Sequence, residues 1–168
     1  MSTILETARL RLRELQPEDA PFILELLNDA GWLKYIGDRG VHDLATAVSY
    51  IEGGPREMYL REGFGLWLVE SREAPPCPMG LCGLLRRPWL DHVDIGFAFL
   101  ERYRGEGLAR EAAAATLDYA RRVLGLQRVV AVTLPGNARS RHLLESLGMR
   151  ELRRQPLPDD GDEVVLYG

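Results

Sequence analysis

The sequence predicts a single α/β domain with a mixed sheet over residues 1–168, on three observations. The length suits one domain of roughly 100–200 residues, and 46% of the side chains are hydrophobic, enough for a sizeable core. About seven segments carry the two-residue alternation or β-branched runs of strands, and about four carry helical spacing or alanine richness. Past the middle of the chain, a strand pattern passes through a glycine loop into an alanine-rich helix and on to another strand, as in a sheet with helices packed on it.

Ala8 to Leu15 alternates small or apolar with charged residues, the mark of a strand with one buried face. Pro17-Glu18-Asp19 opens a helix in which Phe22, Ile23, Leu26 and Leu27 recur at helical spacing, with the acids at its positive end. Gly31, Gly37 and Gly40 bracket an irregular segment holding Trp32 and Tyr35; Asp43 caps a second helix running to about Glu52, which Gly53-Gly54-Pro55 ends. Phe64 to Glu70 and Met79 to Arg86 read as an antiparallel strand pair joined through Ala74-Pro75-Pro76-Cys77-Pro78. Val93, Ile95, Phe97 and Phe99 alternate in the next strand. A long helix follows from Leu108 to Leu124, with Gly125 as its C-terminal cap. Gln127 to Leu134 is a β-branched strand, and Asn137 caps a helix that ends at Gly148. Met149 to Arg154 and Glu163 to Tyr167 form a closing hairpin, paired within the monomer or across a homodimer.

Composition narrows the function classes. Charged residues make up 27%, the proportion of an ordinary globular protein and not of a disordered chain or fibre. Cys77 and Cys82 are too few for a disulfide scaffold, and neither has the His or Cys neighbours of a zinc site, so no metal is expected. No apolar run reaches the roughly 20 residues of a membrane span, and the N-terminus meets Glu6 and Arg9 too early for a secretory signal, so a cytoplasmic location is expected. The net charge of −4 argues against a nucleic-acid binder. Its distribution is uneven: residues 1–84 carry 8 basic and 13 acidic side chains, net −5, and residues 85–168 carry 13 and 12, net +1. An anionic ligand is expected to favour the second half.

Gly-x-Gly occurs twice. Gly63-Phe64-Gly65 enters a strand with no helix behind it and reads as a turn. Gly105-Glu106-Gly107 sits between a strand and a helix and is flanked by Arg102, Arg104 and Arg110. The first turn of a helix leaves N–H groups unpaired, and with the helix dipole these bind phosphate oxygens, while glycines permit close approach of the backbone. The alternative is a helix start whose glycines serve backbone angles alone. A mononucleotide P-loop would need Gly-Lys-Ser/Thr, and a dinucleotide fingerprint a third glycine where Arg110 stands; both are disfavoured.

Arg102-Tyr103-Arg104-Gly105-Glu106-Gly107 resembles the Gln/Arg-x-x-Gly-x-Gly/Ala pyrophosphate motif of the GNAT superfamily of acetyl-CoA-dependent N-acetyltransferases. Asn137-Ala138-Arg139-Ser140, then Leu147-Gly148-Met149, is similar to the family's Asn-x-x-Ser helix, with Met149 in place of a phenylalanine. The opening Glu6 to Arg13 and Asp94-Ile95-Gly96-Phe97 resemble the branch that acetylates the N-terminal α-amines of ribosomal proteins. The resemblance spans almost the whole chain. It implies a GNAT-like central mixed, mostly antiparallel twisted sheet of about seven strands flanked by about four helices. It also implies transfer of acetyl from acetyl-CoA, a cosubstrate, to a primary amine by direct attack in a ternary complex. The acceptor is either a protein N-terminus or a small-molecule amine.

By that resemblance, Phe97, Ala98 and Phe99 pair their backbone with the pantetheine arm. Gly105, Glu106, Gly107, Leu108, Ala109 and Arg110, following Arg102 and Arg104, hold the pyrophosphate, and Asn137 bonds the cofactor. The side chains of Phe97 and Phe99 read equally as core. An amine near its reference pKa of about 10.4 for lysine must lose a proton before it attacks, so a general base is required. Asp94, on the strand leading into the loop, is the first candidate, against a solvent-facing strand residue. His92 on the same face is a second candidate, while His42 and His142 read as surface or packing residues. Asp159, Asp160 and Glu163 either line the acceptor entrance or belong to a solvated loop. Leu144 stands where many family members have a tyrosine that protonates the leaving thiolate; Ser140 is the substitute candidate, against a role confined to the helix start. Trp32 and Tyr35 fall where the family shapes its acceptor pocket, or serve packing. The missing tyrosine also admits a non-catalytic CoA-binding or sensing protein on the same fold.

Overall fold

The computed structural model describes residues 3–158 and 161–168. Along the chain lie β1 (Thr3–Glu6), β2 (Leu10–Arg13), a 3-10 turn (Pro17–Asp19), α1 (Ala20–Leu27), α2 (Ala30–Tyr35), α3 (Leu44–Gly53), α4 (Pro55–Glu62), β3 (Leu66–Ser71) and β4 (Pro78–Leu85). There follow β5 (Val93–Phe99), a 3-10 turn (Glu101–Tyr103), α5 (Leu108–Arg122), β6 (Val129–Thr133), α6 (Ala138–Ser146), β7 (Glu151–Pro156) and β8 (Glu163–Tyr167). The strands make one sheet in the order β1-β2-β3-β4-β5-β6-β8-β7, and every neighbouring pair is antiparallel except β5 with β6.

The mixed, mostly antiparallel sheet is as expected, with eight strands instead of about seven. The segment read as a strand, Ala8 to Leu15, holds β2, and the additional strand β1 precedes it; the two form a hairpin, turned where Thr7 N–H donates to the Leu10 carbonyl at 2.8 Å and Leu10 N–H donates to Thr7 Oγ1 at 3.0 Å. Among the described residues there are six α-helices instead of about four. The segment around Trp32 and Tyr35 is α2, because the Asp29 carboxylate accepts from the N–H groups of Gly31 and Trp32 and starts a helix. Pro55 opens α4 as well as following the end of α3, since its ring suits a first helical turn and its missing N–H is not needed there.

Alternation along the strands sends side chains to two apolar layers. Trp67, Val69, Cys82, Leu84, Ile95 and Phe99 pack with Ala112 and Ala113 of α5. Leu68 and Leu81 face the opposite way, against Ile23 and Leu26 of α1 and Ala47 and Ile51 of α3. The closing hairpin is intramolecular: β8 pairs with both β6 and β7.

The parallel junction positions the site. Only Val93 with Val129 and Asp94 with Val130 are in register. Beyond them β6 turns to β8, pairing Ala131 with Tyr167 and Thr133 with Val165, while Ile95 to Phe99 keep only their β4 partners. The two strands splay, and the sheet opens into a wedge.

Candidate active site

The wedge holds a cavity of about 700 Å³. Residues 95–99 of β5 line one wall, Ala131 to Thr133 of β6 and the start of α6 the other, and Trp32 and Tyr35 of α2 with Tyr50 of α3 close one end. Because Ile95 to Phe99 lack β6 partners, the backbone groups on that edge border the cleft. The phenylalanine side chains do not supply this surface through polar chemistry: Phe99 is buried in the α5 layer and Phe97 packs against it, whereas Ala98 faces the α1/α3 layer.

Asp94 lies at the apex of the wedge, paired in register with Leu85 and Val130, and only 1% exposed. Its Oδ1 accepts from Arg87 Nε at 3.0 Å, and its buried Oδ2 has no hydrogen-bond partner. Burial pushes its carboxyl up to about 6, with Arg87 pulling the other way. A carboxylate so placed is partly protonated near neutrality and exchanges a proton readily. The solvent-facing alternative for Asp94 is thus removed. His92 precedes β5 and does not line the cleft.

The glycine loop joins β5 to α5. Gly105 and Gly107 have φ of +84° and +77°, a left-handed conformation that favours glycine, and Gly107 is the N-cap of α5 with no side-chain cap. Glu111 N–H donates to the Gly107 carbonyl at 3.0 Å, but the N–H groups of Leu108, Ala109 and Arg110 have no partner among the described residues. Three free donors at the positive end of a 15-residue helix form an anion cradle. From behind, Arg9 donates to the Glu106 carbonyl at 3.0 Å and to Glu111 at 2.7 Å, while Thr7 Oγ1 donates to Glu111 at 2.5 Å. The N-terminal hairpin thereby fixes the loop.

The flanking arginines all have partners in the protein. Arg104 lines the cleft and pairs with Asp29 at 2.9 Å; Arg102 pairs with Glu25 at 2.9 Å and is not among the cleft residues; Arg110 donates to the Ser146 hydroxyl and carbonyl, each at 3.2 Å. What the loop offers an anion is therefore chiefly backbone.

At the other wall, Asn137 Oδ1 accepts from Ser140 N–H at 3.2 Å and caps α6. That use leaves the Asn137 amide nitrogen as its ligand-facing group. The Ser140 hydroxyl has no partner among the described residues, and Asn137, Ser140, Leu143 and Leu144 all line the cleft. Glu163 pairs with Arg154 at 3.6 Å, away from the cavity, and Asp159 and Asp160 lie outside the described residues. His42 is exposed beside Asp38, and His142 does not line the cleft.

The sequence singled out Asp94, Asn137, Ser140, Trp32 and Tyr35, which line the cavity together with Arg104 and Ala109, whereas Gly105, Glu106, Gly107, Leu108 and Arg110 of the glycine loop and helix start are not among its lining residues. Sequence reasoning missed Asp29, Arg39, Tyr50 and Arg87. A signal was present for Asp29, an Asx residue two positions before a glycine, but Arg87 meets Asp94 only through the β4–β5 register. Among the described residues no group of three or more His, Cys, Asp or Glu converges as a metal site, and no helix is long and apolar enough to cross a membrane.

An open wedge between parallel strands, beside a helix start with free amides, suits an α/β protein that binds an extended ligand carrying an anionic group. Residues 9–150 match the family model of the Acetyltransferase (GNAT) domain, and the chain belongs to that family. It is similar to an uncharacterized N-acetyltransferase, YnaD, of Bacillus subtilis, at 27% identity over 146 residues covering 87% of this chain and 82% of the relative. The crystal structure of an acetyltransferase from Agrobacterium tumefaciens superposes with a TM-score of 0.82 at 26% identity, covering 100% of this chain and 95% of that one. RimL, a ribosomal L7/L12 α-N-protein acetyltransferase solved in complex with coenzyme A, shares the fold with a TM-score of 0.81 at 19% identity, over 99% and 96% of the two chains. The protein is an acetyl-CoA-dependent acetyltransferase.

Proposed function

We propose that the enzyme acetylates a primary amine by direct attack in a ternary complex, with Asp94 as general base. The observation that carries this reading is the buried Asp94 at the apex of the wedge, with one oxygen held by Arg87 and the other unpaired. The free amides of Leu108 to Arg110 bind the pyrophosphate, and the exposed edge of residues 97–99 orients the pantetheine arm towards Asp94. Asp94 takes the proton from the acceptor ammonium, directly or through a water. The amine nitrogen then forms a bond to the thioester carbon, backbone N–H groups of the β5 edge stabilise the negative oxygen, and the carbon–sulfur bond breaks. As that bond breaks the amine nitrogen sheds its second proton, and the Ser140 hydroxyl, in place of the tyrosine that Leu144 replaces, passes its own proton to the departing thiolate while taking up the one from nitrogen, directly or through a water.

Proton affinities favour an α-amine. Moving a proton from an α-amino group of pKa about 7.7–8.0 to a carboxylate near 6 is uphill by about 2 units, roughly 3 kcal/mol, against about 4 units, roughly 6 kcal/mol, for a lysine. The test is CoA release from acetyl-CoA across a panel of α-amines and polyamines, for wild type and Asp94→Asn. A loss of about 100-fold or more in kcat for the variant, as for removal of a general base, with wild-type kcat/KM rising with pH through about 6, is the expected result. Binding of acetyl-CoA with no turnover of any amine, and indifference to Asp94→Asn, favours the non-catalytic CoA-binding alternative.

A further inference from the structure

The side of the cleft lined by α2, α3 and the connection between them carries polar groups that the reaction above does not use. Trp32 is 5% exposed, yet its indole Nε1 is buried without a hydrogen-bond partner, which is uncommon for a buried tryptophan. Arg39, in the connection between α2 and α3, lines the cavity and has neither an ion pair nor a hydrogen bond among the described residues. The Tyr50 hydroxyl has no partner there either, and both Arg39 and Arg87 lie near enough to act on its charge.

The charge inventory of the lining is net positive. Arginines 39, 87, 104 and 139 line the cavity, with Asp29 and Asp94 as the acids among the described residues. Each acid already has a cationic partner on one oxygen: Asp29 Oδ1 accepts from Arg104 and from the N–H groups of Gly31 and Trp32, and Asp94 Oδ1 accepts from Arg87. Asp94, with its buried Oδ2 unpartnered at the apex, is the carboxylate that faces the acceptor ammonium in the reaction above, while an indole N–H, a phenol and the Arg39 guanidinium are open to an acceptor of hydrogen bonds. With Arg87 and Arg104 matched by Asp94 and Asp29, a polycation meets Arg39 and Arg139 in excess and is repelled. A molecule with one ammonium and one carboxylate satisfies both sets of groups at once.

We propose that Arg39, Trp32 and Tyr50 form a carboxylate subsite, and that the acceptor is an amine carrying a carboxylate close to its nucleophilic nitrogen. The ammonium is directed to Asp94 and the carboxylate to the Arg39 guanidinium, with the Trp32 Nε1–H and Tyr50 hydroxyl donating to its oxygens. The chemistry is shared by a free amino acid and by a peptide N-terminus with an acidic side chain. This inference rests on the amine-acetyltransferase reading and deepens it.

Matched acceptors that differ only in the carboxylate decide it: amino acids against their carboxamides, peptide amides beginning with Asp or Glu against those beginning with Asn or Gln, and spermidine as the polycation. Charge-assisted hydrogen bonds of about 1.5–3 kcal/mol predict a preference in kcat/KM of about ten- to a hundredfold for the carboxylate. Preference for the free amino acids or for the acidic peptides tells the two sources apart. In Arg39→Ala the acid-to-amide ratio falls towards one through KM, Arg39→Lys retains part of it, and Trp32→Phe lowers it with the fold intact by circular dichroism. Equal use of acid and amide, a preference for spermidine, or an unchanged ratio in Arg39→Ala overturns the subsite while leaving the acetyltransferase reading in place. The same pairs are titrated calorimetrically into the protein saturated with CoA, so that the subsite has a readout without turnover: binding of the acid and not the amide supports it even if acetyl transfer fails, and equal or absent binding of both overturns it.

Discussion

Asp94 sits where function and stability pull apart. Buried and 1% exposed, its carboxyl is held near 6, against about 3.9 in an unfolded chain. Because the folded-state value is raised, its contribution to stability is fully present below about 4 and is lost as pH rises through about 6. Asn at this position does not titrate. The gap in unfolding free energy between Asp94→Asn and wild type therefore widens in favour of the variant by about 2 kcal/mol between pH 4.5 and pH 8, as urea titrations at both pH values will measure. A pH-independent gap would mean that the carboxyl is not raised and that its suitability as a base has another origin. The contrast with Arg13 is instructive. That guanidinium, also buried, donates to Glu70 at 3.0 Å and to Asp19 at 2.8 and 2.9 Å, so its charge is matched on both sides and binds β2 to β3. Replacing Arg13 by Ala leaves Glu70 with Arg11, at 3.2 Å, as its remaining arginine and removes the bidentate partner of Asp19, and is expected to cost about 1.5–3 kcal/mol in the same titration.

At the scale of elements, α2 shows how a short helix escapes a reading by periodicity. Six residues with Gly31 inside offer no repeat to detect, and the helix exists because Asp29 caps it and Trp32 enters the core. The long elements were legible because their signals are local: the alternation in β2 to β5, the alanines of α5, and a glycine loop whose backbone angles demand glycine. The acceptor end was not, since Arg39, Tyr50 and Arg87 come from separate stretches of chain that meet only when α3 packs on the sheet beside the β4–β5 connection. Asp29 links the two kinds of region, because the same carboxylate that starts α2 also holds Arg104 of the glycine-loop segment. Its two roles separate by substitution. Asn retains a cap oxygen and gives up the ion pair, so Asp29→Asn is expected within about 0.5 kcal/mol of the cap's original strength, whereas Asp29→Ala loses about 1 kcal/mol more. Equal unfolding midpoints for the two variants would show that the cap does not sustain α2.

For the molecule as a whole, the weak point is the β5–β6 junction. Two register pairs join the half of the sheet bearing β1 to β5 to the half bearing β6 to β8, and the cleft begins where they stop. A ligand lying in the wedge touches both halves and replaces the missing strand pairing, so it is expected to stabilise the entire fold and not one loop. At 100 times its Kd, acetyl-CoA should add about 2.7 kcal/mol, a rise of about 5–10 °C in Tm for a domain of this size. Gly107→Val separates the cradle from the wedge. At φ +77° a valine strains the backbone, by about 1–2 kcal/mol for a left-handed residue, and its Cβ would lie 3.6 Å from Arg9 Nη2, on the side that braces the loop, so the substitution disturbs the N-cap angle that aims the α5 amides. The variant should therefore melt several degrees below wild type without ligand and respond little to acetyl-CoA. A full ligand response in Gly107→Val would place the affinity in the wedge walls and the arginines. A response lost along with the α5 amides would instead assign it to backbone donors, which is what the engagement of Arg102, Arg104 and Arg110 by protein partners implies.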